Sequence, residues 1–171
     1  QEPWRALFNG ESLDGWIQIN GEAPYTVENE EIVGRTVAGS PNSFLCTEEQ
    51  FSDFILEFEV KKDTILNSGV QIRSNSFPQY NNGRVHGYQV EIDNQPNRRY
   101  SGGIYDEARR GWLANPEGNS AAQDAYKFGQ WNKYRIEAIG PDIKVWINDT
   151  PVTYLIDDLT PSGFIGLQVH S

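Results

Sequence analysis

The chain has 171 residues, with 24 acidic against 14 basic side chains, and its formal net charge of −10 argues against nucleic acid and anionic membrane surfaces as partners. The length fits one domain over residues 1–171, and no apolar run approaches the roughly 18 residues that span a bilayer. The 5 Trp, 8 Tyr and 8 Phe residues, with 16 Gly and 9 Pro, favour strands and tight turns, so we expect an all-β domain.

Alternation of apolar and polar residues predicts roughly nine or ten short strands separated by turns. A looped segment at 8–16 leads into the first strand, and residues 25–37 predict a hairpin that turns near Asn29 and Glu30. Further strands are predicted at 54–62, 68–74, 86–95, on both sides of the turn at 140–142, after a second turn at 148–151, and at 163–171. This many short strands implies two packed antiparallel sheets, a jelly-roll β-sandwich.

Residues 106–130 interrupt this regular spacing because they show no strand pattern. Long irregular segments in compact domains are usually functional or disordered. This one contains Arg109, Arg110 and Trp112, so we predict a functional loop. No amphipathic helix of useful length is predicted anywhere in the chain. The single Cys46 lies among apolar residues and is predicted to be a buried, unreactive thiol.

Three of the predicted strands carry unusual side chains at their polar positions. An ordinary solvated face is rich in Lys, Thr and Ser, whereas these positions hold amides, carboxylates, a guanidinium and an imidazole. They are Gln71 and Arg73 of one strand, Gln89, Glu91 and Asp93 of the next, and Gln168 and His170 of the last. If the strands are neighbours, these groups would form a concave surface that hydrogen-bonds the hydroxyls of a neutral sugar.

Side chains around this surface would complete a sugar site. Arg109 would add a donor, and Trp112, Tyr105 and Tyr80 would supply aromatic rings that stack on a sugar. The alternative is a plain polar sheet face in which Glu91 is merely paired with Arg73.

Glu91 and Asp93 are two residues apart on one strand, so their Cα atoms are roughly 6.6 Å apart and their ionisations should couple. Such a pair suits acid and base catalysis of glycoside cleavage, or oxygen ligation of a divalent metal together with His170. His170 is also a candidate general base. The two-Glu motif of sandwich β-glucanases is broken here, because Gln95 and Pro96 occupy the positions of the second Glu.

Six stretches of the sequence, in the same order along nearly the whole chain, resemble the 3-keto-disaccharide hydrolase domain family. They are LFNGESLDGW, NSGVQIRS, HGYQVEIDN, SGGIY, GQWNKYRIEAIGPDIKVWIND and GFIGLQVHS. The resemblance implies a concanavalin A-like jelly roll of the lectin and glucanase type, and a glycosyl hydrolase exported to the periplasm or surface of a bacterium. Because the sequence opens with Gln1 and contains no Met, we also expect that a signal peptide has been removed. Members usually continue into one more strand, so we expect that a final C-terminal strand is missing or that the sandwich edge differs.

The resemblance also implies a reaction. A ketone at C3 of a sugar acidifies the C2 proton, so a base removes it, the C1 glycosidic oxygen leaves by elimination, and water adds. The base would be Glu91 or His170, and the leaving group would be supported by Asp93 or Tyr105. Arg73 or a bound divalent metal, the candidate cofactor, would stabilise the enolate.

Two other functions stay open at the level of sequence. The same sandwich could serve as a lectin-like carbohydrate-binding module without chemistry, or as a structural domain with a shallow cleft.

Overall fold

The computed structural model describes residues 3–63, 65–93 and 95–170. Within these ranges the chain forms thirteen strands and two short helices. The strands are β1 (Trp16–Ile19), β2 (Tyr25–Glu28), β3 (Glu31–Gly34), β4 (Ser43–Thr47), β5 (Phe54–Val60), β6 (Ser68–Asn75), β7 (His86–Ile92), β8 (Ile104–Glu107), β9 (Gly111–Ala114), β10 (Asn132–Ile139), β11 (Asp142–Ile147), β12 (Thr150–Ile156) and β13 (Phe164–Val169). A 3-10 helix spans Asn81–Gly83, and α1 spans Ser120–Asp124.

The strands pair into two large antiparallel sheets, which confirms the predicted all-β jelly-roll sandwich. One sheet has seven strands in the order β1-β4-β13-β6-β7-β8-β9, and the other has four in the order β12-β11-β10-β5. Strands β2 and β3 form a separate hairpin. No helix in the described ranges is long and apolar enough to cross a membrane.

The core lies between the two sheets and follows the predicted alternation. The seven-stranded sheet contributes Val70, Ile72, Tyr88, Val90, Ile92 and Ile104, and the four-stranded sheet contributes Tyr134, Ile136, Ala138, Ile143, Val145 and Ile147. The Phe58 ring stacks on the Tyr134 ring with a centroid distance of 5.0 Å. Because alternate residues of β6 and β7 fill this core, their remaining side chains lie on the opposite face of the sheet.

The predicted hairpin turn at Asn29 and Glu30 is confirmed, and both residues have positive φ angles, of 52° and 62°. Positive φ at both central positions is the geometry of a type I′ turn, which suits the twist of a two-residue hairpin. The turn between β11 and β12 repeats it at Asn148 and Asp149, with φ of 49° and 67°. Cys46 is buried in β4, as predicted, and burial raises the pKa of its thiol to about 12.

The prediction of a loop without structure over 106–130 is wrong. β8 and β9 form a hairpin at the edge of the seven-stranded sheet, and α1 follows. Asn119 caps α1, since its Oδ1 accepts a hydrogen bond of 3.1 Å from the amide of Ala122. Sequence alternation failed here because β9 has only four residues and all of them are half-buried.

Candidate functional site

The candidate site lies on the face of the seven-stranded sheet that points away from the core. Strand register places Gln71 opposite Gln89, and Gln89 opposite Tyr105. Residues directly opposite each other in a sheet project from the same face, so these side chains form one row. Tyr105 in turn lies opposite Trp112. Four of the sequence-predicted site residues are therefore brought together on β6, β7, β8 and β9.

A second row runs parallel to the first and contains Glu91. Gly69 lies opposite Glu91 on one side and opposite Gln168 on the other, so the two polar side chains flank a position without a side chain. The Gln89 side chain lies across Gly69, because a Cβ atom added there would stand 2.5 Å from Gln89 Cγ. On the far side, Glu91 pairs with Gly103 through a backbone hydrogen bond of 2.9 Å.

The amides of the first row are locked in one orientation by a chain of hydrogen bonds. Gln89 Nε2 donates to Gln71 Oε1 at 2.7 Å, and Gln71 Nε2 donates to Ser74 Oγ at 2.9 Å. Gln89 Nε2 also lies 3.4 Å from Oε2 of Glu107, whose other oxygen pairs with Arg84 at 3.3 Å. A connected, buried network of this kind presents its polar groups in a fixed arrangement.

Glu91 is the chemically distinctive group of the face. It is 2 % exposed, and the partners of its carboxylate among the described residues are distant: Asn67 Nδ2 lies 3.4 Å from Oε1, and Arg98 Nη2 lies 3.7 Å from Oε2. Burial disfavours the charged form, and it raises the pKa of Glu91 to about 7, although the Arg98 charge opposes the rise. The carboxyl therefore exchanges a proton near neutral pH.

Arg98 is the site residue that the sequence analysis missed. It lies in the turn after β7, where its Nε donates to Asp93 Oδ2 at 2.7 Å. Its guanidinium carbon lies 5.4 Å from the ring centroids of both Tyr100 and Trp112, within cation–π distance. No periodic pattern covers this turn, so the one available signal was a pair of arginines close in sequence to two carboxylates.

Asp93 is buried beside Glu91 but is occupied in holding the same turn. Its Oδ1 accepts from the amide of Gln95 at 3.0 Å, and its Oδ2 accepts from Arg98 and, at 3.3 Å, from the amide of Tyr100. Ser101 Oγ bonds both the amide and the carbonyl of Asp93. With both carboxylate oxygens bonded, Asp93 positions Arg98 and offers little to a leaving group.

The placement predicted for Arg73 is wrong. A register shift between Ile72 and Asn75 interrupts the alternation of β6, and Arg73 has a positive φ of 44°. Its guanidinium donates to the carbonyl oxygens of Ser52, Gly140 and Ala138 at 2.8, 2.7 and 3.2 Å.

Arg73 therefore ties the two sheets together at the end of β6 away from Glu91. A cavity of about 400 Å³ beside it, lined in part by Asp53 and Asp158, belongs to that same end. The alternative in which Arg73 pairs with Glu91 is also wrong, since the cation beside Glu91 is Arg98.

Arg109 likewise lies away from the polar face. It follows β8 in a turn and donates through Nε to the buried Asp106 at 2.8 Å, and through Nη1 to Thr160 Oγ1 at 2.6 Å. Asp106 lies opposite Tyr88, a core residue, so this ion pair is on the core side of the sheet. Trp112 does lie at the site, in edge contact with Tyr105 at 5.2 Å and with Tyr100 at 5.1 Å.

His170 follows the last residue of β13 and is half-buried. Among the described residues, no three His, Cys, Asp or Glu side chains are grouped so that they could hold a metal ion. Glu91, Asp93 and His170 are thus not assembled into the ligand set that the sequence suggested.

Comparison with known proteins agrees with this architecture. The family model described as 3-keto-alpha-glucoside-1,2-lyase-like domain matches residues 3–171, and the chain belongs to this family. A search of curated proteins found no match.

Solved structures share the fold at low sequence identity. The carbohydrate-binding module CBM66 from Bacillus subtilis is 20 % identical, with a TM-score of 0.67 over 91 % of this chain and 88 % of that one. A candidate glycosyl hydrolase from Parabacteroides distasonis is 17 % identical, with a TM-score of 0.69 over 96 % and 86 %. A galectin-like protein of unknown function from Bacillus subtilis is 12 % identical, with a TM-score of 0.67 over 91 % and 83 %. The sandwich is thus one that carbohydrate-binding modules and glycosyl hydrolase candidates share.

Proposed function

We propose that the domain binds a 3-keto-glycoside on the polar face and cleaves its glycosidic bond by elimination followed by hydration, with Glu91 as the base. The observation that carries the proposal is the Glu91 carboxyl, buried among amides with a pKa raised to about 7. A base is most effective when its pKa lies near the working pH, because it is then both available and strong enough.

The chemistry follows from the ketone. Glu91 takes the C2 proton, and the electrons of the C2–H bond move into the C2–C3 bond while the C3 oxygen becomes an enolate. The enolate collapses back to the ketone, a C1–C2 double bond forms, and the glycosidic oxygen leaves C1 and takes a proton. Water then adds its oxygen to C1 and a proton to C2, so the net reaction is hydrolysis without any oxidant or reductant.

The remaining residues have roles that their positions support. The amides of Gln71 and Gln89 are fixed for hydrogen bonds to sugar hydroxyls, and the rings of Trp112 and Tyr105 border the face where a sugar ring would stack. Tyr105 remains our candidate for support of the leaving group, and His170 remains the alternative base.

Access to Glu91 is part of the proposal, because the carboxyl is only 2 % exposed. The Arg98 side chain is 31 % exposed, and its Nη2 lies 3.7 Å from Glu91 Oε2. A sugar therefore reaches the carboxyl at the edge where this guanidinium lies.

Incubation of the protein with a panel of plain and 3-keto glycosides, with and without a chelator, tests the proposed function. We expect release of the aglycone from 3-keto substrates only, and loss of release in Glu91→Gln. Glu59→Gln removes the same charge from an exposed position of β5 and is the matched control. If Glu91→Gln and His170→Ala both leave turnover intact, the assignment of the base is refuted.

A second candidate function is carbohydrate binding without cleavage. The observation that favours it is the deep burial of Glu91 together with the structural similarity to a carbohydrate-binding module. It predicts saturable binding of a glycan with no product in the same incubation. For either function we propose an exported protein, which fractionation of the cells that make it would test.

A further inference from the structure

Two polar atoms of the residues around the polar face are buried without a hydrogen-bond partner among the described residues. One is a donor, Nη2 of Arg98, and the other is an acceptor, Oε1 of Gln168. Folded proteins rarely leave such atoms unpaired, because burial without a partner is unfavourable. The pair therefore indicates what a ligand on this face has to offer: an acceptor near Arg98 and a donor near Gln168.

Arg98 is held in place by groups other than a ligand. Its Nε donates to Asp93 at 2.7 Å, and its planar guanidinium contacts the rings of Tyr100 and Trp112. The remaining Nη2 lies 3.7 Å from Glu91 Oε2, which is beyond hydrogen-bond distance. Its hydrogens are thus free for a third group placed next to the Glu91 carboxyl.

Gln168 comes to the same place from the other direction. It is 5 % exposed and lies on β13 opposite Gly69, which lies opposite Glu91 on its other side. Its side chain projects from the same face of the sheet as the Glu91 side chain, so a sugar that extends over Gly69 from Glu91 reaches Gln168 as well.

We propose that Arg98 stabilises the enolate of the reaction and that Gln168 binds a hydroxyl of the same sugar. The inference rests on the proposed function, and it gives Arg98 the role that the sequence had predicted for Arg73. A ketone oxygen only accepts and a guanidinium only donates, so the two match. The bond strengthens as negative charge develops on that oxygen, whereas the Gln168 bond to a hydroxyl is the same before and during reaction. Arg98 therefore acts on kcat and Gln168 on KM.

Steady-state cleavage of a 3-keto glucoside by four proteins tests this division: wild type, Arg98→Lys, Gln168→Met and Arg99→Lys. Arg98→Lys keeps the charge but loses the planar donor, so we expect kcat to fall roughly 10- to 100-fold with KM nearly unchanged. Gln168→Met keeps the size and loses the acceptor, and we expect KM to rise roughly five-fold with kcat unchanged. Arg99 is the neighbouring arginine, paired with Asp124, and its replacement should change neither constant.

The outcomes separate this inference from the proposed function. Wild-type cleavage with an unchanged kcat in folded Arg98→Lys, or an equal loss in Arg99→Lys, overturns the inference and leaves the proposed function standing. If Arg98→Lys lowers the midpoint of thermal unfolding, its kinetics no longer test the inference and Gln168→Met is used instead. An unchanged KM in Gln168→Met then overturns the inference. If the wild type cleaves no 3-keto glycoside, the proposed function itself fails, and the role of Arg98 fails with it.

Discussion

Replacement of Glu91 by Gln should stabilise the protein at neutral and alkaline pH and change its stability little in acid. The pKa of Glu91 rises from 4.5 to about 7 on folding because the carboxyl is buried. The folded state therefore binds the proton more tightly than the unfolded state. By linkage, the contribution of Glu91 is most favourable below pH 4.5, and it is lost as pH rises towards 7.

The size of the effect follows from the same shift. A pKa difference from 4.5 to about 7 corresponds to about 3 kcal/mol of destabilisation once Glu91 is fully ionised. Gln cannot ionise, so Glu91→Gln avoids this destabilisation. Part of the gain is offset because the neutral amide interacts less favourably than a carboxylate with the Arg98 guanidinium. For a chain of this length, about 3 kcal/mol corresponds to a rise in Tm of roughly 6 to 12 °C, which is an upper bound.

Thermal unfolding of wild type, Glu91→Gln and Glu59→Gln from pH 4 to pH 8 measures the effect. We expect the Tm difference between Glu91→Gln and wild type to be small at pH 4 and to grow between pH 4.5 and 7. Glu59→Gln, with the same change of charge on an exposed strand position, should give a flat difference. A Tm difference for Glu91→Gln that does not change with pH would refute the account of Glu91 as a buried carboxyl with a raised pKa.

Three further substitutions probe the rest of the structure. Arg73→Met leaves three carbonyl oxygens without their donor, and we expect the free energy of unfolding in urea to fall by about 3 kcal/mol. The control Arg35→Ala breaks an exposed ion pair, and its free energy of unfolding should fall by less. Gly69→Ala places a Cβ atom 2.5 Å from Gln89, so we expect roughly five-fold weaker sugar binding by calorimetry. Trp112→Phe removes the indole beneath Arg98, and we expect the change in tryptophan emission on sugar binding to disappear.

Each of these substitutions has a result that contradicts the account. Equal losses for Arg73→Met and Arg35→Ala would mean that Arg73 does not hold the sheets together. Unchanged affinity in a folded Gly69→Ala protein would place the sugar elsewhere than over Gln89. A persistent emission change in Trp112→Phe would show that the tryptophan that reports sugar binding is not Trp112, and that the sugar does not bind against this ring.

Sequence alternation predicted the site where the strands are regular. In β7 the alternation is unbroken, so the burial of Tyr88 and Val90 in the core also defined the face of Gln89 and Glu91. Predicting Gln71 on the same face required only that β6 and β7 be neighbours, which they are.

The incorrect predictions have local structural causes that amino-acid composition and hydrophobic periodicity do not reveal. A bulge turns Arg73 towards the other sheet, and the three-residue connection from β8 to β9 carries Arg109 to the core side of β8. Arg98 was missed because its position depends on the turn that Asp93 organises, and tertiary contacts define that turn. The residues of the site that lie on strands were predictable, and the residue that reaches it from a turn was not.

The most direct test of the elimination mechanism is cleavage of a 3-keto glucoside in deuterium oxide, with the released sugar analysed by NMR or mass spectrometry. Elimination followed by hydration adds a solvent proton to C2, so we predict one deuterium at C2 of each sugar released by the wild type and no release by Glu91→Gln. The released sugar, incubated without protein, controls for spontaneous exchange. Cleavage that leaves the original hydrogen at C2 would contradict the mechanism.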